Sequence, residues 1–78
     1  MTHAEFNKLP FRLVSHISFA TEHIAVYQAE TPKGDIVVQT YTRKLKNGEF
    51  GKSVRVYIFR GKEHKTIDEL SKDYNGTE

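Results

Sequence analysis

Rings and cations alternating along one stretch of chain are the residues here with chemistry to offer. Flat aromatic side chains stack on bases or apolar partners, and cations beside them collect phosphates or carboxylates. Eight of the twelve basic residues (Arg43, Lys44, Lys46, Lys52, Arg55, Arg60, Lys62 and Lys65) fall in one segment, opposed there only by Glu49 and Glu63. That segment carries +6 and the rest of the chain −4, beneath a formal net charge of +2. Tyr41, Tyr57 and Phe59 are interleaved with the cations. Such a surface suits a polyanion with stackable bases, or an acidic protein surface. The residues expected to carry binding are Tyr41, Arg43, Lys44, Lys46, Phe50, Lys52, Arg55, Tyr57 and Phe59. On a nucleic acid each stacked ring is worth about 1–3 kcal/mol, and the cations impose a steep salt dependence. Leu45 and Phe50 sit in the turn between Arg43 and Lys52. They serve either as apolar contacts to a partner or as a cross-strand pair folded on each other.

Other chemistries find little to work with. His3, His16, His23 and His64 show no pair at metal-ligand spacing, and without cysteine the chain has neither disulfides nor thiolate ligands. Asp68, Glu69 and Asp73 fall on the expected outer side of the last helix, where the first two complement its dipole. There is no glycine-rich phosphate loop and no serine in a nucleophile elbow, and Ser15 and His16, adjacent on a strand, point to opposite faces. The expectation is a protein without enzymatic activity, cofactor or metal.

The elements that must position these residues are few. A chain of 78 residues makes one domain, residues 1–78, and buries only about 60% of its unfolded surface. With 37% hydrophobic and 28% charged residues it belongs to the globular class. No apolar run approaches the roughly 20 residues of a membrane span, and Met1 to Glu5 lacks a signal-peptide pattern. Together with the absence of cysteine, this reads as a cytoplasmic protein with no membrane partner.

Thr2 with Glu5 is a capping box for a short helix or arm over residues 1–9, closed by Pro10. Four segments have strand periodicity or composition: Phe11 to Phe19, Ile24 to Glu30, Asp35 to Arg43 and Ser53 to Arg60. Thr66 with Glu69 starts a final helix over residues 66–74, striped by Ile67, Leu70 and Tyr74, with residues 75–78 as a frayed tail. The fold class is α+β: a small antiparallel meander of three to four strands within residues 11–60, a short N-terminal helical turn and a C-terminal helix.

Alternation along the strands predicts two unlike faces. Even positions are aliphatic (Ile24, Val26, Ile36, Val38, Val54, Val56, Ile58), whereas Tyr27, Tyr41, Arg43, Arg55, Tyr57 and Phe59 are odd. Keeping each set together requires an odd loop at Pro32-Lys33-Gly34. At Asn47-Gly48 it requires either Lys46 in the loop or a β-bulge at Gly51. If the odd face is exposed, Tyr57→Ala weakens binding without unfolding; if it is core, the same change costs several kcal/mol.

The order helix, strands, helix is similar to that of double-stranded RNA-binding domains and of the small three-stranded DNA-binding domains of some integrases. Lys65 to Asp73 lacks the lysine-rich start expected on the second helix of the former, so the likeness is architectural and assigns no residue. The leading expectation is a nucleic-acid-binding regulatory or accessory protein using the basic aromatic face and hairpin. The alternatives are a protein-binding inhibitor or adaptor, and a homodimer or larger homo-oligomer that buries the aromatic face.

Overall fold

The protein, a computed structural model, is described over residues 1–77. Its elements are α1 (His3–Asn7), β1 (Arg12–Ser18), β2 (Glu22–Ala29), β3 (Ile36–Lys44), β4 (Phe50–Phe59), β5 (Lys62–His64) and α2 (Ile67–Asn75). The strands form one antiparallel meander in chain order, β1-β2-β3-β4-β5. The α+β expectation holds, with five strands instead of three to four. The extra strand, β5, has three residues, too few for periodicity to reveal. It is created by a tight turn in which Arg60 and Gly61 both take positive φ, 52° and 79°, the geometry whose twist matches a hairpin.

Both helices start at the threonines that mark them in the sequence. Thr2 and Glu5 form a complete capping box. At α2 the Thr66 hydroxyl accepts from the Glu69 amide at 3.1 Å, but the Glu69 carboxylate accepts from the Lys65 amide, one residue before the cap. Two hydrogen bonds close the C-terminal end of α2. The Gly76 amide reaches Lys72 O at 3.1 Å, and the Thr77 hydroxyl donates to Asp73 O at 2.8 Å; residue 78 lies outside the described residues. No helix is long and apolar enough to cross a membrane among the described residues.

Turn geometry then sets the faces, and it does so against the parity expectation. Between β2 and β3, Thr31 and Gly34 exchange both backbone hydrogen bonds around Pro32-Lys33, a two-residue turn that pairs odd residues with even ones. Between β3 and β4, Leu45 and Gly48 bond across the loop, and Leu45 N donates to Glu49 O, so Lys46 does join the turn. A bulge follows as well. The register shifts between Thr42 and Lys44, and Gly51 lies so close to Arg43 that a Cβ there would come within 3.3 Å of Arg43 O. Either device alone would keep odd with odd; together they cancel, and Tyr41 pairs with Val54, Val38 with Tyr57 and Ile36 with Phe59.

One sheet face thus combines Tyr27, Ala29, Ile36, Val38, Tyr57 and Phe59, and this is where the helices pack. The core is Phe6, Ile36, Val38, Tyr57, Phe59 and Leu70, with Met1, Leu9, Phe11, Ile67 and Tyr74 against it. Phe6 meets Tyr57 edge-on at 5.6 Å, and Phe59 meets Tyr74 at 5.4 Å. Lys33 fastens the far end of α2, donating to Tyr74 O at 3.0 Å, a cation where the helix dipole favours one.

Candidate docking face

Directly paired residues on antiparallel strands point to the same side, so the register fixes what the second sheet face presents. One row across β1 to β4 is Ile17, Ile24, Tyr41 and Val54. The next is Ser15, Val26, Gln39 and Val56, and a third runs Arg12, Gln28, Val37, Ile58 and, on β5, Glu63. Neither helix packs on this side: α1 and α2 supply Phe6 and Leu70 to the core on the other face. Ile17, Tyr41 and Val54 are 47%, 40% and 58% exposed. The Val-Ile-Tyr composition that makes these strands fold therefore also leaves an aliphatic surface in water.

At the hairpin end this face turns basic. Tyr41, Arg43, Leu45, Gly51, Lys52 and Val54 line a shallow depression of about 340 Å³. Glu22, paired with Arg43 on the neighbouring strand, accepts a hydrogen bond from the Tyr41 phenol. That contact, helped by partial desolvation and by the charge of Glu22, raises the phenol's pKa above its ordinary value, against an opposing pull from Arg43.

The nine residues expected to act together are divided among five environments. Tyr41, Arg43 and Lys52 stay together on the open face, and Lys46 is exposed in the β3–β4 turn. Lys44 and Phe50 pair with each other on the opposite side. There Lys44 Nζ donates to Ser18 Oγ at 2.5 Å and to Phe19 O at 2.9 Å, and the Phe50 ring lies edge-on to His23 at 5.9 Å. Arg55 is exposed on the helix side, at the rim of a groove of about 270 Å³ lined also by Phe6, Phe11, Tyr27 and Tyr57. Tyr57 and Phe59 are core residues, Phe59 fully buried, and leave the expected binding surface altogether. The reason is the double parity shift at the β3–β4 hairpin, which turns the odd residues of β4 toward the helices.

Sequence reasoning also missed the pairing of the histidines. His16 Nε2 lies 3.1 Å from His23 Nε2, His3 Nε2 lies 2.7 Å from Asp68, and His64 Nε2 lies 3.1 Å from Asp73. The first pair follows from the β1–β2 register, in which Ser18 opposes His23 and His16 is the diagonal neighbour on the same side. The second expected strand starts at Ile24, one residue after His23, and its extension back to Glu22 is what brings the two rings together. Among the described residues no group of three or more His, Cys, Asp or Glu side chains converges as a metal site would require.

No protein-family model, curated protein or solved structure matches the chain. The site therefore stands on its own geometry.

Proposed function

We propose that the chain is a non-enzymatic binding protein that docks a protein surface through the open face of its sheet. The observation that carries this reading is the uncovered aliphatic surface of β2, β3 and β4, on which Ile24, Val26, Val37, Val54, Val56 and Ile58 share one side. Contiguous apolar surface of this kind is uncommon on monomers and marks interaction sites. The basic rim of Arg43 and Lys52 suits a partner patch containing carboxylates, and the cysteine-free composition fits work in the reducing cytoplasm.

A photo-crosslinking side chain placed at Val54, and separately at Arg55 on the other face, tests the reading in living cells. Discrete protein adducts from position 54 and none from 55 are the expected result. Adducts from 55 alone, or from neither position, would overturn it.

A nucleic-acid role keeps one specific support: Tyr41, Arg43 and Lys52 remain side by side around the depression. Titration with single-stranded and double-stranded oligonucleotides at two salt concentrations decides it. Binding that weakens several-fold as salt rises favours a polyanion; no binding at low salt removes that role.

A further inference from the structure

Resting on the reading of the open face as a docking surface, we infer that its occupant is a second copy of this chain, related by a two-fold axis running along β3. Two observations converge on this. The first is area. The chain exposes 5703 Å², whereas a monomer of 9.0 kDa ordinarily exposes roughly 4,900 Å². Its radius of gyration is 13.9 Å against roughly 11.5 Å for a single domain of this length. The surplus, roughly 800 Å², is what one partner contributes to a specific interface of ordinary size.

The second observation is charge. A two-fold along the central strand exchanges β1 with β5 and β2 with β4 while keeping each cross-strand row facing itself. In the row nearest the helices' end, Arg12 on β1 then lies over Glu63 on β5 of the copy, the two residues standing at opposite edges of one row. In the hairpin row, Glu22 opposes Arg43 on β3, and Arg43 is opposed on β4 at the bulge beside Lys52. The same operation puts Glu22 over Lys52. Both edge pairs are of opposite sign, and each occurs twice. Between them Ile24 lies over Val54 and Val26 over Val56, aliphatic on aliphatic, Tyr41 meets Tyr41 on the axis, and Gln39 meets Gln39, whose amide both donates and accepts. Arg43 is the one like-charge meeting. It sits at the rim, in reach of water and flanked by Glu22. Sheets stacked in this way pack about 10 Å apart with their strands nearly aligned.

Sedimentation equilibrium from low micromolar to submillimolar protein, on the full chain, is the test. The expected result is a reversible dimer. Glu22→Lys and Lys52→Glu should each weaken it about ten-fold, by turning two edge attractions into repulsions. The Glu22→Lys, Lys52→Glu double variant should restore it to within a few-fold. Val54→Lys, at a position that is already 58% exposed and so tolerant of substitution, should abolish it. A monomer throughout the range overturns self-association, and adducts from position 54 to a different protein would then leave the docking reading standing. A dimer that ignores the charge reversals, or that the double variant fails to restore, overturns the two-fold along β3. A dimer untouched by Val54→Lys, with no adducts from position 54, overturns both inferences.

Discussion

The two faces of this sheet are built from similar residues, with valine, isoleucine and tyrosine on both. On one face α1 and α2 lay Phe6 and Leu70 over Ile36, Val38, Tyr57 and Phe59, and a core results. On the other, Val54, Val56, Ile58 and their row neighbours have no helix above them among the described residues. Side-chain chemistry alone does not separate a core from a docking surface. What separates them is whether the chain returns over the strand, and nine residues of α2 are enough to cover only one side. The hairpin ends show the same contrast, since Phe50 is 62% exposed and Phe59 fully buried although both belong to β4.

That contrast can be broken from the core side first. Phe59→Ala removes a buried ring packed on Tyr74 and should cost about 3–5 kcal/mol, most of the stability of so small a domain; urea denaturation followed by circular dichroism reads it. Tyr57→Ala should act in the same direction, by a few kcal/mol through its lost packing on Phe6. A loss below about 0.5 kcal/mol at Tyr57, the size expected of a surface change, would return that ring to the exposed set.

Smaller changes sharpen the comparison. Thr66→Ala deletes the hydroxyl that caps α2 and should cost about 1 kcal/mol, seen as a lower thermal midpoint, because α2 carries Leu70 onto the sheet. Val54→Thr on the open face should change stability by no more than about 0.5 kcal/mol, while reducing the fluorescence of an apolar dye bound to the protein. The smallest effect concerns Glu22, whose hydrogen bond favours the neutral Tyr41 phenol. A phenol whose pKa is raised in the fold gives its stabilisation at lower pH and loses it as pH climbs through and beyond the ordinary tyrosine range, about 10. Glu22→Gln should bring the tyrosinate absorbance step of Tyr41 back toward that ordinary value.

Much of the fold was legible before any coordinates. The capping threonines at Thr2 and Thr66 start both helices, the Ile67-Leu70-Tyr74 stripe faces inward, and the strands fall within a few residues of their expected ends. These features are local: a cap needs three neighbouring residues, and amphipathic periodicity needs one element. The grouping of Tyr41 and Arg43 with Tyr57 and Phe59 was not legible, because it depends on how many residues each turn contains. The sequence around Asn47-Gly48 permits a longer loop or a bulge. The structure uses both, and the parity they would each preserve is lost.

By itself, then, the sequence determined the class of protein: a cysteine-free α+β chain, basic at its hairpin, with a short core-forming helix at its end. Tertiary structure alone decided which rings are core and which face water, which histidines touch, and that a mostly aliphatic face, and not an aromatic one, is left open. The physical reason is that side-chain direction on a strand has a period of two, so one residue added at a turn redirects every side chain beyond it. Whether two such additions cancel is settled only by the hydrogen bonds of the assembled hairpin.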